Sequence, residues 1–168
     1  MSKAASAEAL LIRPRGSGDL AQAAAALVAV HEADGYPVEG VSQPEAWLSP
    51  SGLMAAWVAE QSGLIVGHVA ISRPTGGRTG TLERLFVLPA ARGRGAAERL
   101  IRVAEGFAQA HRLGLVLEVL AKDTAAIRLY RRLGWTETGR RTHHLDSGDS
   151  YPSLTFSAPS PAEPVGTA

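Results

Sequence analysis

The residues of this chain best suited to chemistry stand in one run, Leu82-Glu83-Arg84-Leu85-Phe86-Val87-Leu88-Pro89-Ala90-Ala91-Arg92-Gly93-Arg94-Gly95-Ala96-Ala97. Its first half is apolar enough for a strand, its end is a turn with two glycines and two arginines, and a long amphipathic pattern starts directly behind it. The first N–H groups of a helix have no partner within it, and the helix dipole adds about half a positive charge there. A glycine turn feeding a helix is therefore an anion site, and a phosphorylated ligand is the expected occupant. Gly93 and Gly95 let the backbone approach closely, and the forks of Arg92 and Arg94 match phosphate oxygens. Two common phosphate loops do not fit. A dinucleotide GxGxxG needs glycine at 98, where Glu98 stands, and a P-loop needs lysine and a hydroxyl residue where Ala96 and Ala97 stand.

The surrounding pattern supplies the elements that must position this turn. Leu10-Leu11-Ile12 reads as a short strand closed by Pro14, and Asp19 as a cap for a helix over 20–34 with Leu27 and Val30 on its apolar face. Pro44 to Leu48 reads as a second, short helix. Strands over 54–61 and 64–73 meet at Ser62-Gly63, a two-residue hairpin turn. Residues 75–80 form a glycine-rich connector, and a strand over 81–87 follows. The helix behind the turn runs over 95–111, with Ala97, Leu100, Ile101, Ala104, Phe107, Ala108 and His111 on one stripe. Leu115 to Val119 has the apolar character of a mid-sheet strand. A helix over 124–133 stops at Gly134, and two strands over 135–145 and 151–157 close the chain. The order β-α-α-β-β-β-α-β-α-β-β predicts an α/β fold. Its central sheet is mixed and mostly antiparallel, of about seven strands, with helices on both faces.

At 168 residues the chain suits one domain, placed at 10–157, with a flexible start over 1–9 and a disordered proline-rich tail over 158–168. The formal net charge of +1 gives no global field toward nucleic acid or anionic lipid, so neither is an expected partner. There is no cysteine, which removes disulfides, thiolate nucleophiles and cysteine-bound zinc together. The five histidines (His31, His68, His111, His143, His144) lack metal-binding spacing, so no metal site is expected. His68, on a strand, reads as a satisfied structural histidine. No signal segment or membrane span is evident, and the expected location is cytoplasmic.

A second segment carries chemistry of its own: Asp123-Thr124-Ala125-Ala126-Ile127-Arg128-Leu129-Tyr130-Arg131-Arg132-Leu133-Gly134-Trp135. Asp123, Ala126 and Tyr130 fall three and four residues apart, on one helix face. Together the two segments resemble the GCN5-related N-acetyltransferases (GNAT). Arg92-x-x-Gly95-x-Ala97 is similar to that superfamily's R/Q-x-x-G-x-G/A pyrophosphate loop, and 123–135 to its N-x-x-A-x-x-L-Y-x-x-x-G-F box. Asp123 departs from the family's asparagine.

The resemblance implies acetyl-CoA as the cofactor and a direct transfer of acetyl to a primary amine, a small molecule being the preferred acceptor. Backbone groups from Gly93 to Ala97, with Arg92 and Arg94, would hold the pyrophosphate. Leu85, Phe86 and Val87 would pair with the pantetheine arm, which Asp123 and Ala126 would flank, and an amide near 85 would polarise the thioester carbonyl. Tyr130 would face the sulfur. A phenol ionises near pH 10 and a thiol near 8.5, so a strengthening hydrogen bond is the expected contribution, not full proton transfer. Glu83 is the candidate base for the amine, on the same face as Leu85 and Val87 by the period of two before any bulge, and the resemblance implies a bulge on this strand; its alternative is a strand carboxylate paired with Arg84 or Arg73.

The acceptor pocket of this family draws on its first helices and last hairpin. Here that implies His31, Tyr36, Trp47 and His144, with Glu32, Asp34, Glu39, His143 and Tyr151 in reserve, and the acids suit a cationic amine. Two other readings stay open: acetylation of a protein N-terminus or lysine, and a coenzyme A-binding regulatory module without turnover. The last strands could pair chains into a homodimer.

Overall fold

A computed structural model describes residues 9–74 and 76–160. Of the ends expected to be flexible, 1–9 and 158–168, residues 1–8 and 161–168 lie outside the described residues. Seven strands form one sheet: β1 (Leu10–Pro14), β2 (Leu53–Gln61), β3 (Leu64–Ser72), β4 (Thr79–Val87), β5 (Gly114–Leu120), β6 (Thr136–His144) and β7 (Ser150–Ser157). The spatial order is β1-β2-β3-β4-β5-β7-β6. Every pairing is antiparallel except β4 with β5, so the sheet is mixed and mostly antiparallel. The β2–β3 hairpin turns on Ser62 and Gly63, both at positive φ (53° and 77°), as a two-residue turn matching strand twist requires.

Helices α1 (Leu20–Asp34), α2 (Pro44–Trp47), α3 (Ala96–Ala110) and α4 (Thr124–Arg132) lie on both faces. On one face α1 and α2 bury Leu27, Val30 and Leu48 against Val58, Ile65 and Phe86. On the other, Leu100, Ile101 and Ala104 of α3 and Ile127 and Tyr130 of α4 pack on Trp57, Val69, Ile71, Leu117 and Phe156. The alternation of strand side chains produces this division: Leu115, Leu117 and Val119 face α3 and α4, while Glu118 points to the opposite face, partly exposed. β7 continues past its last residue, since the Ala158 N–H donates to Leu115 O at 2.9 Å.

The sequence assigned Asp19 as a side-chain cap for α1, and the structure corrects this. Asp19 occupies the cap position without a capping bond. Its carboxylate instead accepts two bonds from Arg13 (2.7 and 2.9 Å) and one from the Gly16 N–H (2.6 Å). An arginine fork outcompetes a single amide for a carboxylate. Among the described residues no helix is long and apolar enough to cross a membrane.

Candidate active site

The glycine turn leads into α3 as the sequence requires. Gly93 and Gly95 hold positive φ (83° and 80°), and Gly95 is the residue before the first helical turn. A Cβ at either would meet nothing within 4 Å, so open space lies over this backbone. The first described amide bonded back along α3 is Arg99, to Gly95 O at 3.0 Å, which leaves the amides of Ala96, Ala97 and Glu98 ahead of the ladder. Arg92 is already engaged: its Nε donates to Val87 O at 3.0 Å and its Nη2 to the Asp34 carboxylate at the end of α1. It therefore fastens the loop to α1 through Asp34. Arg94 is exposed beside it.

Behind the loop the sheet opens. β4 and β5 pair only at Thr79↔Gly114, Gly80↔Leu115 and Thr81↔Val116. Past those three pairs β4 stays with β3 and β5 stays with β7. Backbone edges of residues 82–87 and 117–120 thus face each other without pairing, and an extended chain could bond to them as an added strand does.

On β4 the ladder is broken by a bulge. His68 pairs with Phe86 and Ala70 with Glu83, so Val69 faces both Arg84 and Leu85. Arg84 takes φ +58°, in the left-handed region. The extra residue changes the phase of the strand. Residues directly opposite share a face, so Glu83 joins Ala70, His68 and Phe86 on the α1 face, while Leu85 and Val87 pack toward α3. The expectation that Glu83 shares a face with Leu85 and Val87 is overturned by this bulge. Glu83 accepts a hydrogen bond from Ser72 Oγ at 2.9 Å and lies 3.2 Å from Arg84 Nε. Its alternative pairing with Arg84 is thus present in the structure.

Arg84 was not expected as a site residue, yet it is central to one wall. Its guanidinium lies over the Trp47 ring, 4.3 Å from the centroid, and 3.7 Å from Glu39. Its Nε is buried without a hydrogen-bond partner, too far out of line with Glu83 to form one. Trp47 Nε1 donates to Glu39 at 2.7 Å, and the ring meets Tyr36 edge-on at 5.8 Å. Burial raises Tyr36 above the ordinary phenol range; Tyr130, Glu39 and Asp123 push the same way and Arg84 opposes them.

Tyr130 is buried, packed on Trp135 and Phe156, and burial raises it as well, with Asp123 adding to the effect. A phenol held this way keeps its proton at neutral pH and so has an O–H to donate. Asp123 sits at the cap of α4 with no side-chain capping bond. Burial raises its carboxyl; Lys122 opposes the shift and Asp34 supports it. Ala96 is buried, and Ala97 and Ala126 pack at the margin of the core beneath.

The expected acceptor residues divide. Tyr36, Trp47 and Glu39 stand together as described. His31 lies in the last turn of α1, its Nδ1 buried without a partner. His144 is exposed and, by strand alternation, on the opposite face of β6 from His143, so it does not join the wall. His143 instead meets Glu118 at 3.1 Å on the face that Glu83 shares. Among the described residues no cluster could hold a metal ion.

The arrangement combines unpaired amides for a phosphate, an open strand edge for an extended arm, a protonated phenol and a carboxylate beside a cation–aromatic wall. Residues 24–135 match the family described as acetyltransferase (GNAT) family. The chain is 40% identical over 83 residues to the IAA acetyltransferase of Azospirillum brasilense, covering 49% of this chain and 54% of that protein. It is 38% identical over 100 residues to the N-alpha-acetyltransferase RimI of Mycobacterium tuberculosis, covering 55% and 60%. The chain thus spans just over half the length of these curated relatives. Among solved structures, the ribosomal-protein-S18-alanine N-acetyltransferase of Escherichia coli superposes with a TM-score of 0.71 at 19% identity, covering 94% of this chain and 99% of that one. Arabidopsis thaliana NAA60 in complex with acetyl-CoA gives 0.68 at 22%, covering 89% and 98%. At such identities these two likenesses concern the fold.

Proposed function

Because the chain belongs to the acetyltransferase (GNAT) family, we propose that it transfers acetyl from acetyl-CoA to the primary amine of a cationic acceptor, by direct attack. The observation that carries this reading is the opening of β4 from β5 after Thr81↔Val116, directly behind the open glycine turn. The two features fit a pyrophosphate and its extended arm in one line. Acetyl-CoA supplies the acetyl group as an activated thioester.

The chain's own residues have separable tasks in this reading. Amides from Gly93 to Ala97 and the Arg94 side chain bind the pyrophosphate, and Arg92 holds the loop to Asp34. The strand edge of Leu85, Phe86 and Val87 orients the arm, with Asp123 and Ala126 flanking it, and the Leu85 amide donates to the thioester oxygen. Tyr130 donates its hydroxyl proton in a hydrogen bond toward the sulfur. Glu83 accepts the proton the attacking amine must lose, directly or through one water. Glu39 and Tyr36 favour a cation at the entrance by charge and by an aromatic face, and Trp47 keeps Arg84 folded back from it.

A small-molecule amine is the first acceptor class. A protein N-terminus is the second, and one observation favours it: the face of β5, β7 and β6 that carries Glu118 and His143 has no described helix over it, leaving room for a longer chain. A steady-state panel of small amines against short peptides separates them. Turnover of small amines at kcat/KM above that of every peptide supports the first class, and a peptide-only response sinks it.

A further inference from the structure

We infer that His68 is a positioning residue: its ring fixes the Arg84–Leu85 peptide so that the Leu85 amide faces the opening between β4 and β5. The inference rests on the acetyl-transfer reading for its consequence, but the geometry stands on its own. His68 is fully buried on the α1 face of β3 and stacks on Phe86, ring centres 5.4 Å apart and 12° from parallel. Its Nδ1 lies 2.9 Å from Arg84 O. A carbonyl only accepts, so Nδ1 carries the hydrogen. Its Nε2 lies 3.0 Å from Arg15 Nη1, and a guanidinium only donates, so Nε2 carries none. Both neighbours thus select the same neutral tautomer.

Arg15 is itself held, with Nη1 donating to Leu48 O at 2.7 Å and Nη2 to Ser49 Oγ at 2.9 Å. A line of contacts therefore runs from the end of α2 through Arg15 and His68 to the bulge. Arg84, a residue with a Cβ at φ +58°, needs such outside support for its conformation. In a planar trans peptide the carbonyl and the following N–H point in opposite directions. With Arg84 O turned toward His68 on β3, the Leu85 N–H is directed away from β3, to the side where β4 has parted from β5. A mere core histidine would tie two strands together; this one also selects which way a reactive-centre amide points.

Two measurements on the full chain test the inference. Nitrogen-15 NMR of the ring should show His68 neutral and protonated at Nδ1 at pH 7, with no ligand present; a ring protonated at Nε2, or an imidazolium, overturns it. The second compares His68→Asn, whose amide can present an N–H to Arg84 O, with His68→Leu, which cannot. His68→Leu should lower kcat at least ~30-fold with the KM for acetyl-CoA within ~3-fold, and His68→Asn should recover most of the loss, in line with the ~100-fold or greater effect of a lost oxyanion donor. Equal losses in both variants, or a loss confined to KM, overturn it. Should His68→Leu fail to fold, the tautomer and the kcat of His68→Asn still decide. Calorimetric binding of acetyl-CoA to the unaltered chain tests the functional reading separately, so failure of either idea is distinguishable from failure of the other.

Discussion

The Arg84 guanidinium rests 4.3 Å above the Trp47 ring, joining the bulge of β4 to the short helix α2. The contact places a cation where the acceptor wall would otherwise carry only Glu39 and Glu83, so the wall's net attraction for an amine depends on how tightly Trp47 keeps Arg84 folded back. Trp47→Ala removes the ring beneath the cation, the edge-on contact to Tyr36 and the bond to Glu39. These contacts hold Arg84, Tyr36 and Glu39 in their places on the wall, and a misplacement that costs the amine about 1.4 kcal/mol of binding is a factor of ten in affinity. We expect the KM for the amine to rise about tenfold or more while the KM for acetyl-CoA holds. A rise in the acetyl-CoA KM alone would place Trp47 outside the acceptor wall.

Glu83 lies beside both Arg84 and Ser72, and only a proton-accepting role makes its charge matter to the rate. Glu83→Gln should cut kcat/KM by about 100-fold or more at pH 7. The deficit should narrow toward pH 10, where a lysine-like amine sheds its own proton. Ser72→Ala removes one hydrogen bond and should cost only a few-fold. A pH–rate profile of Glu83→Gln parallel to that of the unaltered enzyme would return Glu83 to the role of ion-pair partner.

Much of this was legible because it is local. Periodicity marked the strands and helices, Ser62-Gly63 the hairpin, and the 92–97 and 123–135 segments the elements around the opening. The phase of Glu83 was not legible, because no glycine or proline marks the bulge at Arg84. Its support comes from His68, sixteen residues away in sequence. Asp19 was misassigned for a different reason: Arg13, only six residues earlier, claims its carboxylate through the turn between β1 and α1, a side-chain contact that helix periodicity does not register. Glu105 sits within the apolar stripe of α3 as a buried carboxylate, satisfied at 2.9 Å each by Arg102, one turn back on the same helix, and by Trp135 Nε1, a partner that only the tertiary fold brings near.

The glycine turn makes a sharper case. At φ +80° Gly95 sits where a side chain is disfavoured by about 1–2 kcal/mol, although nothing in the protein would touch its Cβ. Gly95→Val should therefore lower stability only by that conformational cost, yet fill the space expected for a pyrophosphate. The KM for acetyl-CoA should rise at least tenfold, or binding should vanish in calorimetry, with a melting temperature only a few degrees lower. An unchanged KM would refute the loop's assignment.

Stability should carry the signature of His68. Burial lowers the ring to about 4, the Arg84 carbonyl pulling the other way and Arg15 pushing further down. An unfolded histidine titrates near 6.5, so between pH 6.5 and 4 the unfolded chain binds the extra proton and stability rises with pH. The contribution is fully present above pH 6.5 and is lost as pH falls toward 4, amounting to about 3 kcal/mol at about 1.4 kcal/mol per pH unit of separation. Asp19 acts in a lower window. The hydrogen bonds from Arg13 bring it down to about 2, so its contribution is present above about 3.8 and fades as pH falls through 2. Urea midpoints at pH 7, 5.5 and 4.5 separate the two, because of this pair only His68 changes its contribution over that range. His68→Asn should flatten the slope between pH 6.5 and 4 while leaving the fall below pH 3.8 in place. A slope identical in the variant and the unaltered chain would mean that the ring is not the buried neutral partner of Arg84 and Arg15.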